Sequence, residues 1–303
     1  MTEPKNQRLA HVFALLTVGL WSTVASAFKL SLRYLQPAEL LFYASIVSCG
    51  VLLAVILWQG KGGELRRLQR QDWLASIGFG ALNPFLYYLV LFRAYELLPA
   101  QQAQPINHTW AITLTLLSIP LLRQKIDRRQ FLAIGISYIG VLIISTHGEV
   151  LSLHFDSPAG VGLALFSTVI WSLYWVFSTR DRREPVIGLF LNFCCSLPLT
   201  GGYLVLVHGL RPVEPAGLLG AAYIGVFEMG IAYVFWLKAM KLSTDTARIA
   251  NLIFICPFLS LIFIHFLVGE QILPATFIGL LFIVAGLVLQ GRSGGRDRDG
   301  EQP

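Results

Sequence analysis

Charge is scarce in this chain. Of its 303 residues 13% are Asp, Glu, Lys or Arg and 55% are hydrophobic, whereas soluble domains carry about 25% charged and about 45–50% apolar residues. Water is not the main solvent of such a fold. Cysteine is scarce too: Cys49, Cys194, Cys195 and Cys256 each sit in an apolar run without paired ligand spacing, which argues against a disulfide framework or a zinc site and makes them packing residues. The sequence has no His-Glu-x-x-His, no Gly-rich phosphate loop and no paired-carboxylate motif, so metal-dependent, nucleotide-driven and glycosidase-like chemistry lose their usual marks. Two short matches are discounted. Asn107-His108-Thr109 spells a glycosylation sequon inside an apolar run, and Gly291-Arg292-Ser293-Gly294 resembles a nucleophile element but lies in a polar tail with no histidine nearby. The formal charge of +6 would suggest nucleic acid only if the basic residues clustered on a folded surface; here they mark loops.

What is present in abundance is apolar sequence in long pieces. Runs of about 18–25 residues recur from His11 to Val288, each able to cross roughly 30 Å of hydrocarbon. The expected fold class is an all-α polytopic membrane protein of about ten spans, near 10–28, 37–58, 73–92, 101–121, 130–147, 158–178, 186–208, 216–237, 247–267 and 273–291, each boundary good to about two to four residues. Lys5 and Arg8 before an apolar run, with Ala25-Ser26-Ala27 after it, imitate a cleaved signal peptide. The rest of the chain is equally apolar, so the first segment is expected to stay as a span. With the N-terminus inside, only Lys29, Arg33, Arg93 and Arg211 of the 23 basic residues fall outside. That asymmetry places both termini in the cytoplasm.

Proline and tryptophan support these limits. Pro37, Pro185 and Pro215 stand at span starts, where a missing N–H costs nothing, and Trp58 and Trp73 bracket the first cytoplasmic loop at headgroup level. Pro84 and Pro257 fall inside the third and ninth spans and should kink them, either as static bends or as hinges.

The two halves match weakly at a nearly constant offset. Ala14, Leu15, Trp21 and Ser22 align with Ala164, Leu165, Trp171 and Ser172; Gly80, Tyr88, Arg93 and Leu97 align with Gly225, Tyr233, Lys238 and Leu242; Phe131 and Gly140 align with Phe277 and Gly286. Residues 10–147 and 158–291 are therefore expected to be two five-span units, followed by a polar cytoplasmic tail, 292–303. Five is odd, so the second unit enters the membrane inverted and encloses a site near the midplane. Gly217, Ala221 and Gly225 keep a four-residue spacing that admits a close helix neighbour, whereas Gly135, Gly140, Gly279 and Gly286 do not and read as ordinary membrane-helix residues.

Ten spans in a five-plus-five repeat, Gly-Leu-Trp-Ser-Thr at residues 19–23, Phe-Arg-Ala-Tyr-Glu-Leu-Leu-Pro-Ala at 92–100 and Gly269-Glu270 after span nine resemble the EamA group of the drug/metabolite transporter superfamily over about residues 10–290. Asn107-His108-Thr109-Trp110 is similar to an Asn-aromatic-x-Trp-Pro element of its amino-acid exporter branch, with Ala111 in place of the proline. The resemblance implies a cavity lined by spans one, three, four, six, eight and nine, with five and ten peripheral, no cofactor, and substrates from amino acids to other metabolites and drugs. The expected function is secondary active transport by alternating access, with export of amino acids or related metabolites across a bacterial inner membrane as the leading reading. Uptake or exchange by the same fold is the first alternative, and a membrane enzyme or an accessory protein without flux the second. The expected partners are a small-molecule substrate and the lipid bilayer, not nucleic acid; oligomeric state is left open, a monomer included.

Polar residues deep in the spans are the candidate site. Glu228 lies near the middle of span eight, where a carboxylate costs about 2.5–3.5 kcal/mol on insertion scales. Low-dielectric surroundings disfavour charge, so Glu228 is a candidate for proton exchange or for binding a substrate ammonium, against a purely structural hydrogen-bonding role. Its repeat counterpart is Asn83. Asn107 and His108 on span four and Asn251 on span nine offer donors and acceptors to a zwitterion, and Trp110 a flat wall. Tyr88 and Tyr233 join the candidates as a repeat-related pair. Trp21 and Trp171, with Tyr174 and Trp175, read more readily as a lipid-facing belt than as cavity wall.

Overall fold

The structure is a computed structural model that describes residues 5–122, 127–151, 155–178, 181–207, 209, 212–244, 249 and 251–293. Arg123, Lys125, Arg180, Arg211, Arg248 and the tail beyond Ser293 lie outside the described residues. Among those described there is no strand. Eight helices are long and apolar enough to cross a membrane: Gln7–Ser31, Pro37–Trp58, Arg70–Leu97, Arg128–Ser145, Pro158–Ser178, Pro185–Val207, Pro215–Leu242 and Asn251–Val268. We call Gln7–Ser31 α1, Pro37–Trp58 α2 and the short Gly62–Leu65 α3.

Several of these helices are interrupted. The third is built from α4, Arg70–Gly80, a π-helical turn at Ala81–Leu86 and α5, Tyr87–Leu97. Pro84 has no N–H to give the helical ladder, and the neighbouring Asn83 leaves helical geometry at φ −144° and ψ 117°. The expected fourth span is not continuous. It divides into α6, Ala100–Asn107, and α7, Trp110–Leu122. Around that break the His108 N–H donates to Gln104 O, while the Thr109 hydroxyl and N–H both turn back to Ile106 O. Side-chain competition for backbone partners is a known way to end a helix.

α8 is Arg128–Ser145, α9 Pro158–Ser178 and α10 Pro185–Val207. Next come α11, Pro215–Tyr223, a π-helical turn at Ile224–Ile231, and α12, Ala232–Leu242. The ninth expected span opens as a 3₁₀ turn, Asn251–Ile255, continues as α13, Cys256–Phe263, and closes in a π-helical turn at Ile264–Val268. Pro257 stands in the first turn of α13, so the bend expected there is a change of helix type. The last helix, α14, is Pro274–Ser293. Prolines start α2, α9, α10, α11 and α14, which fits their tolerance in the first turn.

Packing joins helices from opposite halves of the chain. α1 lies against α12, α2 against α10, α5 against α9, and α8 against α14. A Cβ at Gly225 would press on Ala44 O and Val47, and one at Gly217 on Leu35, so the expected close approach at this face is real. The reading of Gly140, Gly279 and Gly286 as ordinary residues is corrected. A side chain on Gly140 would run into Gly279 O and Ile283, one on Gly279 into Gly140 O and Ile144, and one on Gly286 into Ser137 and Ala133 O. Contact here depends on which residues of two helices meet, which spacing along one helix does not encode. Gly135, with nothing near its missing Cβ, keeps the ordinary reading.

Candidate functional site

Between the halves lies a cavity of about 290 Å³. Helical spacing delivers its walls. Trp21, Ala25 and Phe28 share one face of α1, Tyr87, Leu91 and Tyr95 one face of α5, and Trp171 and Trp175 one face of α9. Gln104, Asn107, His108 and Trp110 come from either side of the α6–α7 break, and Asn251, Phe254 and Cys256 from the irregular start of the ninth helix. Glu228 enters from the π-helical turn, with Tyr233 and Trp236 following on α12. A π turn inserts an extra residue and re-aims side chains, a device common at functional sites. Among the described residues none of α8 or α14 is part of the lining.

The wall is aromatic above all. Tyr87 stacks on Trp171 with ring centroids 4.6 Å apart and planes 29° apart, and Trp110 lies nearly parallel to Trp175 at 6.5 Å and 19°. Trp21 meets Tyr233 edge-on at 6.0 Å and Trp236 at 5.7 Å. Such rings offer apolar faces whose quadrupoles attract cations.

Polar groups are few, and most are already committed. Tyr88 Oη donates to Glu228 Oε1 at 3.2 Å. Tyr87 Oη donates to Asn107 Oδ1 at 3.3 Å, and Asn107 Nδ2 donates to Ser167 Oγ at 2.9 Å, which fixes the amide. His108 Nδ1 is 3.0 Å from Gln104 O; a carbonyl only accepts, so this bond puts the proton on Nδ1 and leaves Nε2 as an acceptor in the neutral ring. Gln104 Nε2 donates to Ser260 Oγ, whose hydroxyl in turn donates to Ser22 O at 2.6 Å. Glu228 Oε2 is buried with no hydrogen-bond partner among the described residues. Among the described residues no lysine or arginine lines the cavity, and Glu228 is its one formally charged group. An orphaned buried carboxylate oxygen costs free energy that a proton, or a ligand donor reached by a rotamer change, would relieve.

Eight of the sequence candidates line this space: Trp21, Asn107, His108, Trp110, Trp171, Glu228, Tyr233 and Asn251, the last on its exposed edge. Tyr88 is fully buried behind the wall, where it donates to Glu228 and packs edge-on against Phe28 and Tyr87. Asn83 is a correction. It is buried in the π-helical turn of the third helix, which packs on α10, away from the cavity. Its position matches that of Glu228 along the chain, but the Asn83 turn packs mainly on α10, whereas the Glu228 turn packs on α2 and α1. The belt reading of the tryptophans is corrected as well, since Trp21, Trp171 and Trp175 form the wall and Tyr174 stacks on Trp171. Gln104, Tyr87 and Trp236 were missed. Gln104 is three residues before Asn107 and Trp236 three after Tyr233, so helical spacing from accepted candidates could have found both.

Comparison with known proteins follows the same outline. The model of the EamA-like transporter family matches twice, over residues 8–146 and 158–291. An uncharacterized transporter of Archaeoglobus fulgidus is 23% identical over 287 residues, covering 92% of this chain and 96% of that protein. The aromatic amino acid exporter YddG of Ancylobacter novellus is 26% identical over 277 residues, covering 90% and 91%. A solved crystal structure shares the fold with a TM-score of 0.66 at 22% identity, over 96% of this chain and 99% of that one.

Proposed function

The chain belongs to the EamA-like transporter family, and from that premise we propose that it is a secondary transporter that exports an aromatic amino acid or a related aromatic amine by alternating access. Membership makes it a multi-pass membrane transporter of a small molecule, not an enzyme. The finer reading rests on one observation: a cavity walled by aromatic rings holds, among the described residues, a single carboxyl, Glu228, with no basic side chain beside it. A low-dielectric site of this kind holds one positive charge at a time. A proton and a substrate ammonium therefore compete for Glu228, and competition for one group is the simplest way to couple opposite fluxes. The name of the Ancylobacter relative supports an aromatic substrate.

The two family matches, the inter-half packing of α1 with α12 and α5 with α9, and the π-helical turns at Ala81–Leu86 and Ile224–Ile231 support two inverted units of five spans. Pro84 and Pro257 are the hinges of this reading, because each stands where helix type changes beside the cavity helices. Both termini are placed in the cytoplasm by the basic-residue asymmetry. Reporter fusions that locate either terminus outside would overturn that topology.

The deciding experiment is flux. Purified protein in liposomes loaded with labelled phenylalanine, tryptophan, tyramine or tryptamine should release substrate faster when the opposite side is acidified, while protein-free liposomes should not. Release unaffected by pH supports uniport or exchange instead. Absence of flux for every amine and amino acid tried rejects the aromatic reading.

A further inference from the structure

A second cavity, of about 340 Å³, opens at the end of the bundle where the Asn6 N–H donates to Leu242 O at 2.9 Å. α2 brings Trp58, with Lys61 just after it; the start of α10 brings Glu184 and Val186; α12 brings Val234, Leu237, Lys238 and Lys241. None of these residues lines the aromatic cavity.

Three ammonium groups face one carboxylate here. Lys61 Nζ lies 2.7 Å and Lys241 Nζ 4.0 Å from Glu184 Oε1. Glu184 Oε2 is occupied as well, accepting from the Ile187 N–H at 2.9 Å and so capping the start of α10. Lys238 has no carboxylate partner among the described residues. Its ammonium sits 5.3 Å from the Trp58 ring centroid and 5.4 Å from that of Phe13. Among the described residues the pocket therefore keeps two uncompensated positive charges. The rest of its wall is Gln59 and the apolar side chains of Val186, Val234 and Leu237, and beside it Leu57 and Trp58 are exposed at the helix end, Trp58 to 79%.

We propose that this pocket is a binding site for an anionic phospholipid, with the phosphate held by Lys238 and Lys241 and the glycerol end of the acyl chains laid on Val186, Val234 and Leu237. Clustered lysines supply the charge complement of a phosphate, and basic pockets between spanning helices are where such headgroups bind. The apolar wall and the exposed tryptophan argue for a lipid over a soluble phosphate, which would gain nothing from either. Two net charges favour a headgroup of net negative charge over a zwitterionic one.

The test is native mass spectrometry of the detergent-solubilised full chain titrated with phosphatidylglycerol, cardiolipin and phosphatidylcholine. One anionic lipid should bind saturably, and phosphatidylcholine much more weakly. K238Q/K241Q should weaken anionic-lipid binding by about fivefold for each lysine removed, and K238R/K241R should retain it, which separates loss of charge from loss of fold. R66Q/R67Q removes the same charge beyond the end of α2, outside the pocket, and should leave the affinity unchanged. Equal weakening by R66Q/R67Q and K238Q/K241Q means diffuse surface attraction and overturns the proposal. Displacement of the lipid by millimolar inorganic phosphate makes the pocket a soluble-anion site and overturns it too.

Discussion

Tyr88 Oη donates to Glu228 Oε1 at 3.2 Å, so one hydrogen bond ties α5, just past the π-helical turn at Ala81–Leu86, to the π-helical turn at Ile224–Ile231. The two residues are 140 positions apart in the chain. A bond between two interrupted helices at the one charged group among the described cavity residues is sensitive both to its protonation and to any relative movement of the halves.

Glu228→Gln keeps the size and most hydrogen bonding of the side chain while removing its titratable proton. The variant is expected to insert normally, to lose acid-driven release from liposomes, and to retain some substrate binding or exchange. Wild-type transport by this variant from about pH 5.5 to 8 would make Glu228 structural only and move attention to Asn107, His108 and Asn251.

Tyr88→Phe keeps the ring in its packing with Phe28 and Phe92 and deletes the hydroxyl that donates to Glu228, a bond of about 0.5–1.5 kcal/mol, and that also interacts with the Tyr233 hydroxyl. Its pH profile of transport should shift while the melting temperature stays within a few degrees of wild type. Tyr34→Phe, at an exposed ring outside the cavity, should not move the profile. An unmoved profile in both variants would show that the bond has no part in coupling.

Trp171 contacts Tyr87, Trp110, Tyr174 and Trp175, so its ring organises the α9 side of the wall. Trp171→Ala should raise the KM for an aromatic substrate about tenfold, with Trp171→Phe recovering part of the loss. An equal fall for both, with turnover lost and KM unchanged, would place the role of this ring in folding.

The α8–α14 contact gives a stability prediction with an internal control. A larger side chain at Gly140 or Gly279 meets backbone oxygen on the partner helix, so Gly140→Leu and Gly279→Leu should each cost at least about 1–3 kcal/mol and lower the melting temperature in detergent. Gly135→Leu, on the same helix but facing open space, should leave it unchanged.

Arg183 joins the short loop before α10 to α4. It holds Asp181 at 2.7 Å, donates to Asp72 O, Ser76 Oγ and Asn192 Oδ1, and lies over the Phe79 ring. Burial pushes the Asp181 carboxyl up, but the Arg183 side chain and N–H more than offset it and hold the carboxyl below the ordinary carboxylate range. The stability this pair contributes is complete above the ordinary carboxylate pKa and is lost as pH falls through the depressed value. Heat-stability scans should show that loss in the wild type at acid pH and a smaller one in Asp181→Asn. Arg183→Gln should lower stability at neutral pH by a few kcal/mol, because it leaves a half-buried carboxylate without its partner.

The sequence by itself determined the solvent, most of the helices and six residues of the cavity wall, Asn107, His108, Trp110, Glu228, Tyr233 and Asn251. Apolar length is enforced by the bilayer, and helical spacing by backbone geometry, so both are written locally. Glu228 was legible for the same reason: a carboxyl deep in an apolar run has to find a special environment wherever the helix lies. Tertiary structure alone decided the rest. Whether Trp171 faced lipid or ligand, whether Asn83 shared a site with Glu228, and whether Gly140 met another backbone all depended on which face of each helix turned inward. That choice comes from packing between segments more than a hundred residues apart, as in α1 on α12 and α8 on α14. The break at His108–Thr109 belongs to the same class, since an apolar run reads as one span until competing hydrogen bonds divide it.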